Sequence, residues 1–123
     1  MALQKVGLGF PVVVQNNATG TVYAVASNTK SYIRGILIHN QSTVNSVTTD
    51  IHVVQNSAGV VGSATASNRV AKLTLAPTDT YFFELPFPVV IAATNDAILV
   101  RNNAGSGDTA DDLTVLVLGD KEA

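Results

Sequence analysis

The sequence predicts an all-β protein built as an antiparallel sandwich or barrel. Val, Ile and Thr dominate every apolar segment, and these β-branched side chains suit a pleated sheet better than a helix. Short apolar runs alternate with Gly, Asn, Ser and Pro, which is typical of strands joined by turns. No window of a dozen residues shows the i, i+3, i+4, i+7 spacing of an amphipathic helix.

Nine segments carry the strand pattern, and local turn chemistry explains most of the breaks between them. The segment Asn16-Asn17-Ala18-Thr19-Gly20 predicts a turn in which Gly20 is free to adopt a positive φ, and Ala76-Pro77-Thr78-Asp79 predicts a tight corner. Pro86 and Pro88 bracket Phe87, which predicts that this segment is not a central strand and that it crosses between sheets. The predicted strands are residues 10–15, 20–26, 30–40, 46–56, 69–76, 79–85, 87–92, 96–102 and 112–119.

The chain length predicts one folded domain. A chain of 123 residues is long enough to bury a single core, and the absence of Cys excludes a disulfide framework, a thiolate metal site and a thiol nucleophile. We expect residues 1–15 to form an N-terminal arm or edge strand and residues 16–123 to form the β domain.

Charged residues are scarce, which bears on the partners of the protein. Asp, Glu, Lys and Arg make up 13% of the chain, against about 25% in an ordinary soluble domain. Interface cores are depleted of charge in the same way, so we expect much of this surface to be covered by other chains. The net charge of −2 and the scattered basic residues predict no nucleic-acid partner, and no apolar run approaches the roughly 20 residues of a membrane span.

Several predicted strands are apolar on both faces. In the strand at residues 30–40, alternation sets Ile36 and Ile38 on one face and Ile33 and Leu37 on the other, and residues 113–118 show the same pattern. A strand that is apolar on both faces is covered on both faces. In a small sandwich the second cover is usually a neighbouring chain, so the sequence predicts an oligomer or a larger assembly.

Asp50 and His52 form the strongest catalytic pattern in the sequence. Two residues apart on a strand, they point to the same face, and an Asp–His pair can orient an imidazole as a base. The alternative is a polar, solvent-facing stripe of an amphipathic strand. We favour the stripe because no nucleophile motif accompanies the pair, and we expect no enzymatic activity and no cofactor.

Two further groups of polar residues have simple structural explanations. Arg34 and His39 lie five residues apart, so a regular strand places them on opposite faces, where they cannot share a ligand. Asp108, Asp111 and Asp112 offer oxygen ligands, but they lack the spacing of a calcium loop. We therefore expect a solvated acidic loop and no metal site, although ion binding there stays an open alternative.

The order of segments resembles small tailed-bacteriophage virion β-sandwich proteins. The resemblance rests on Val22-Tyr23-Ala24-Val25-Ala26 and the strand ending at Asn40, and it continues in Leu75-Ala76-Pro77-Thr78-Asp79-Thr80, Pro86-Phe87-Pro88-Val89-Val90 and the last strand ending at Gly119. It spans about residues 20–119. One departure is Ala26-Ser27-Asn28, where such proteins usually carry a Pro- and Gly-containing turn.

The resemblance implies a jelly-roll-like β-sandwich of about eight strands with an N-terminal arm. It implies a capsid decoration or cement protein, made in the host cytoplasm, that sits on the capsid exterior, bridges major capsid protein subunits and forms a homo-oligomer, a dimer or trimer. The alternatives are a head–tail connector or tail-fibre component and, more distantly, a secreted glycan-binding module. The residues that we expect at the interface are Leu3, Val6, Leu8 and Phe10 of the arm, with Arg34, Ile36 and Ile38.

Overall fold

The computed structural model of the protein describes residues 4–104 and 111–122, and it describes side chains from residue 8 onward. Nine strands and one short 3-10 helix, Ala66–Asn68, make up the described chain. In chain order the strands are β1 Gln4–Gly7, β2 Val12–Val14, β3 Thr19–Ala24, β4 Lys30–Asn40, β5 Val47–Val54, β6 Arg69–Leu75, β7 Thr80–Ile91, β8 Ala97–Asn102 and β9 Leu113–Glu122.

Two antiparallel sheets form a jelly-roll sandwich. The strands pair as a nested hairpin, β2 with β9, β3 with β8, β4 with β7 and β5 with β6. This long hairpin wraps around the core, so that β4 also pairs with β9 and β5 also pairs with β8. The first sheet therefore has the order β1/β2-β9-β4-β7 and the second the order β3-β8-β5-β6. This arrangement confirms the predicted jelly-roll-like sandwich.

The N-terminal segment completes one edge of the first sheet. Strand β1 pairs with residues 118–121 of β9 and β2 with residues 113–115, so the two short strands share one edge position. Leu8, between them, is 3% exposed and belongs to the core of this chain. Phe10 is 90% exposed. Leu3 lies outside the described residues, and of Val6 only the backbone is described, paired with Gly119.

A β-bulge in β4 changes which of its side chains enter the core. The register shifts between Ile33 and Gly35 on both neighbouring strands, so the extra residue reverses the alternation of the strand. Ile33, Ile36 and Ile38 all point inward and are at most 2% exposed. The predicted division of these residues between two faces is therefore wrong, because it assumed a regular strand, and only Leu37 of the apolar run lies on the outer face.

Strand β7 stays in one sheet along its whole length. Its ends pair with β4, while residues 85–88 bulge out between Glu84 and Val89. Pro86 and Pro88 lie in this unpaired bulge, where a missing N–H costs no ladder hydrogen bond. The prediction that the segment is not a central strand is confirmed, since β7 is an edge strand, but the predicted crossing between sheets is wrong.

The segment between β5 and the 3-10 helix folds back over the outer face of the second sheet. Val61 and Ala64 pack on Val54, Ala97 and Leu99, which form a small second core there. Asp96 anchors this segment by accepting hydrogen bonds from the backbone N–H and the side-chain amide of Asn56, at 2.9 and 3.0 Å. The outer face of the second sheet is therefore partly covered by the chain itself.

Acid is expected to loosen this segment through Asp96. Burial alone raises the pKa of Asp96, but hydrogen bonds from Asn56 and from the backbone N–H of Ala93 outweigh it, so the pKa lies below its ordinary value. The stabilisation is therefore present above the unfolded-state pKa of about 3.9 and is lost as the pH falls through the lower folded-state pKa. Thermal unfolding from pH 6 to pH 2 should show a smaller loss of stability for Asp96→Asn than for the parent protein. Equal acid sensitivity of the two proteins would contradict this role.

Candidate interaction surface

Large apolar side chains are concentrated on one side of the sandwich. Nine of them are exposed among the described residues, and five of these lie on β6 and β7, which are edge strands of the two sheets. The five are Val70, Tyr81, Phe82, Phe87 and Val90. Because β6 and β7 are joined by the short corner at residues 76–79, their open edges lie on the same side of the molecule. We refer to this surface, formed by β6 and β7, as the open edge.

An apolar cleft runs into the core at the open edge. Its volume is about 140 Å³, close to the roughly 150 Å³ of an apolar cavity that binds benzene. The cleft therefore has room for one bulky apolar side chain of a partner. Its lining is entirely apolar: Ile33, Ile36, Ile51, Val53, Val70, Phe83, Leu85, Val89 and Ile98.

The prolines of β7 limit how a partner can bind at the open edge. Pro86 and Pro88 have no backbone N–H, and their bulge interrupts the straight course that strand addition requires. Phe87, between them, is 83% exposed, so the bulge presents an aromatic ring where it blocks backbone pairing. A partner at this half of the edge is therefore held through side chains.

The outer face of the first sheet carries a second apolar group beside the edge. Leu37 lies opposite Leu116 on one side and Phe82 on the other, which makes one cross-strand row. Phe82 covers Gly35, since a Cβ atom built there would lie 2.3 Å from the ring. Phe82 itself is 46% exposed, and the row thus continues the apolar surface of the edge onto the face of the sheet.

Arg34 and His39 do not form a site. Arg34 pairs with the buried carboxylate of Asp120 on β9. His39 Nδ1 lies 2.8 Å from Thr80 Oγ1 on β7. Each side chain has its own partner, and the bulge at residues 33–35 removes the regular alternation that was expected to separate them.

The predicted interface residues whose side chains are described fall into two groups. Phe10 and Arg34 are exposed and accessible to a partner. Leu8, Ile36 and Ile38 are buried within this chain, and Ile36 lines the floor of the cleft. We correct Ile36 and Ile38 from surface residues to core residues, because the bulge turns them toward the second sheet. The sequence-based prediction missed the exposed apolar residues of β6 and β7. The concentration of aromatic residues at positions 81–87 is the sequence signal that could have indicated this surface.

The predicted acidic loop is only partly described. Asp108 lies outside the described residues. Asp111 is 1% exposed and lies 3.3 Å from Asn45 Nδ2, and Asp112 accepts a hydrogen bond from the backbone N–H of Asn16 at 2.9 Å. Within residues 4–104 and 111–122 no three His, Asp or Glu side chains converge to hold a metal ion. Nor does this part of the chain contain a helix with the length and apolar composition needed to cross a membrane.

Asp50 and His52 are not the solvent-facing stripe that alternation predicted. They are 7% and 5% exposed, although they lie on the outer face of the second sheet. Residues 64–66 and Arg69, Arg101 and Asn103 surround them in a shallow polar depression. The expectation of exposure is wrong, because the segment that folds over this face is invisible to a pattern read along one strand.

Comparison of the sequence with known protein families and with curated proteins finds no match. Solved structures match over 98% of this chain, among them a chain of the T13 particle of infectious bursal disease virus (TM-score 0.45, 12% identity). A chain of the Gt strain of that virus (TM-score 0.39, 13% identity) and its VP2 subviral particle (TM-score 0.38, 13% identity) match similarly. This chain spans only 30–32% of the length of those chains. At such identities the likeness concerns the fold alone.

Proposed function

We propose that the chain is a structural virion protein that decorates and cements a bacteriophage capsid by bridging major capsid protein subunits. It acts on the capsid exterior, after synthesis in the host cytoplasm, as a homo-oligomer. The observation that carries the proposal is the open edge, where five exposed apolar side chains lie on two edge strands and one of them, Val70, lines an apolar cleft. Apolar side chains that are concentrated on one side of a protein mark an interaction site.

The composition of the surface supports an assembled protein. Charged residues make up only 13% of the chain, and interface cores show the same depletion. The bulge of β7 prevents uncontrolled growth of the sheet at the open edge while Phe87 remains available for a specific contact. Such a surface suits a protein that is held by packing against defined neighbours.

The mechanism of cementing is mechanical. Each copy contributes apolar contacts of ordinary interface size, on the order of 800 Å² per partner. A copy that contacts two capsid subunits must lose both contacts at once to leave, so the second contact acts as an intramolecular one. Repetition over the shell then stabilises the particle without any covalent chemistry.

The open edge is tested by rebinding of the purified protein to capsids from which it has been stripped. We expect Val70→Ser with Phe87→Ser to reduce the bound amount at least tenfold, because both exposed apolar contacts are lost. The matched control is Val13→Ser with Val60→Ser, which removes two apolar side chains that are 54% and 61% exposed. Val13 lies on β2 at the opposite edge of the first sheet, and Val60 lies in the segment between β5 and β6. Equal binding by the two double variants would overturn the role of the open edge.

Copy number separates cementing from the alternatives. Cryo-electron microscopy of particles that carry this chain should show hundreds of copies on the shell exterior. Six or twelve copies at one vertex would identify a connector or fibre component instead and would contradict the cementing role. Light scattering on the purified chain measures the oligomer, and a monomer at all concentrations would contradict the proposed dimer or trimer.

A further inference from the structure

A row of polar residues crosses all four strands of the second sheet on its outer face. The register aligns Thr19 of β3, Arg101 of β8, Asp50 of β5 and Lys72 of β6 side by side. The next row along β5 on the same face contains His52 and Arg69. These residues are scattered over more than 80 positions of the sequence, and only the pairing of the strands brings them together.

All residues of the two rows except Lys72 line a depression of about 310 Å³. Ala64, Thr65 and Ala66 make its wall on the side of the 3-10 helix. The volume is at the lower end of the roughly 300–1,000 Å³ of small-molecule sites. The depression therefore suits a ligand the size of a single sugar ring.

Asp50 has an oxygen with no hydrogen-bond donor. Its Oδ2 accepts a hydrogen bond from Asn103 Nδ2 at 3.1 Å, whereas the buried Oδ1 has no hydrogen-bond partner among the described residues. The nearest cations, Arg69 and Lys72, lie 3.8 Å from the carboxylate, too far for a hydrogen bond. An acceptor left unsatisfied in a residue that is 7% exposed is costly, and a ligand hydroxyl would satisfy it.

The hydrogen bonds of Asn68 determine the tautomer of His52. Asn68 Oδ1 accepts a hydrogen bond from the backbone N–H of Thr65 at 2.9 Å, and Asn68 Nδ2 donates to the carbonyl of Ser63. Since Asn68 Oδ1 is thus an acceptor, His52 Nδ1, 2.7 Å away, must donate to it. Neutral His52 therefore keeps Nε2 as a second acceptor in the same depression.

Basic side chains supply the donors of the site. Three of the seven Lys and Arg residues of the chain, Arg69, Lys72 and Arg101, surround a single Asp. Arg101 is held by hydrogen bonds to Asn17 and Asn103. Arg69 and Lys72, with side chains 40% and 58% exposed, make no hydrogen bond within the described chain. Each has only an ion pair with Asp50 at 3.8 Å, so its N–H donors remain available to a second anion.

We propose that this depression binds a carboxylate that also carries hydroxyl groups, the chemistry of a sugar acid. The ligand carboxylate pairs with the guanidinium of Arg69 and the ammonium of Lys72, and Arg69 offers two parallel donors for it. The ligand hydroxyls donate to Asp50 Oδ1 and His52 Nε2. A neutral sugar offers the two cations no anion besides Asp50, and a simple anion offers the two acceptors no donor.

The site extends the proposed function without depending on it. The depression lies on the outer face of the second sheet, whereas the cleft at the open edge lies between the two sheets. The two sites are therefore separate. No aromatic side chain lines the depression, so we expect weak binding by one copy. Many copies on one particle would bind a surface rich in sugar acids at several sites at once, and the combined binding would be much stronger than that of one copy.

The test is a titration of the isotope-labelled full-length protein with sodium glucuronate, followed by NMR at constant ionic strength. We expect saturable shifts of the amides of Asp50, His52, Arg69 and Lys72. Glucose and sodium acetate are the probes that lack the carboxylate and the hydroxyls, and we expect both to bind at least tenfold more weakly. Acetate binding as strongly as glucuronate would reduce the site to an anion site, and glucose binding as strongly would remove the role of the cations. Either result, or no binding of glucuronate, overturns the proposal.

Variants on exposed cations keep the test independent of folding. We expect Arg69→Gln to weaken glucuronate binding about tenfold, the effect of losing one charged hydrogen-bonded contact, and Lys72→Gln to weaken it as well. The matched control Lys30→Gln changes an exposed lysine of the first sheet and should bind like the parent protein. Loss of binding by Lys30→Gln to the same degree would show a general effect of net charge and contradict the site.

Discussion

Gly119→Ala is expected to destabilise the protein by at least about 3 kcal/mol, which is the upper end of ordinary overpacking effects. A Cβ atom at this position would lie 2.0 Å from the carbonyl oxygen of Tyr32 and 3.3 Å from the backbone N of Arg34. These are backbone atoms of β4 at its bulge, and β4 and β9 are the two central strands of the first sheet. Neither strand can move without breaking the ladder between them.

The measurement is urea unfolding followed by circular dichroism, with thermal unfolding as a second probe. A loss of this size would lower the melting temperature by roughly 10 °C or more. Two other glycines serve as controls. At Gly35 the Cβ atom meets the ring of Phe82, which is 46% exposed and can rotate away. At Gly59 it meets nothing within 4 Å, and only the φ of +83° is unfavourable.

We expect both control substitutions to cost on the order of 1 kcal/mol. Gly119→Ala is expected to cost more because its new Cβ atom meets the backbone of a central strand, which cannot move. At Gly35 the new Cβ atom meets a side chain, which can. Unfolding of Gly119→Ala at the same urea concentration as Gly35→Ala would show that the two central strands separate easily. That result would contradict the packing of β4 on β9 described above.

Asn40→Ala is expected to destabilise the protein by about 3 kcal/mol, because it leaves several buried backbone groups without a partner. Asn40 is fully buried at the end of β4. Its Nδ2 donates to the carbonyls of Asn45, Leu75 and Ala76, and its Oδ1 accepts from the backbone N–H of Ser42. One side chain thus joins β4 to the segments that precede β5 and follow β6.

Gln41→Ala is the control for this prediction, since Gln41 is the next residue and makes one exposed hydrogen bond, to Thr114. We expect a change within about 0.5 kcal/mol for this surface position. Asn102, at the end of β8, is built like Asn40, with Nδ2 donating to the carbonyls of Val14 and Asp111. Asn102→Ala should therefore resemble Asn40→Ala. A cost below 1 kcal/mol for both would show that the freed backbone groups find other partners.

Most of the strands could be predicted from the sequence because their signals are local. The predicted strand at residues 30–40 has the observed bounds, and most of the others differ by at most three residues at either end. The two strands predicted at residues 79–85 and 87–92 are one strand, β7. The turn before β3 was also predicted, but Asn17 and not Gly20 adopts the positive φ. Asn tolerates this conformation, and Gly20 lies in β3, where a Cβ atom would come within 3.1 Å of Val14.

The candidate surface was less predictable. Pro86 and Pro88 predicted that this segment is not a central strand, but only the strand order shows that β7 and β6 end the two sheets. The predicted arm residues Leu8 and Phe10 illustrate the difficulty, since Leu8 enters the core and Phe10 remains exposed two residues later. Apolar character alone does not distinguish a core residue from an interface residue, because burial inside the chain and burial against a partner have the same hydrophobic cause.

The sequence by itself determined the all-β class and the positions of most strands, because β-branched content and turn residues act over a few neighbouring positions. It also determined the absence of cysteine chemistry. The tertiary structure alone decided three things: the inward direction of Ile33, Ile36 and Ile38, the apolar cleft between β6 and β7, and the burial of Asp50 and His52. Each depends on a partner distant in the chain. A single bulge reverses the alternation of β4, and a segment more than ten residues away in the chain covers the outer face of β5. Neither outcome can be obtained by following one strand.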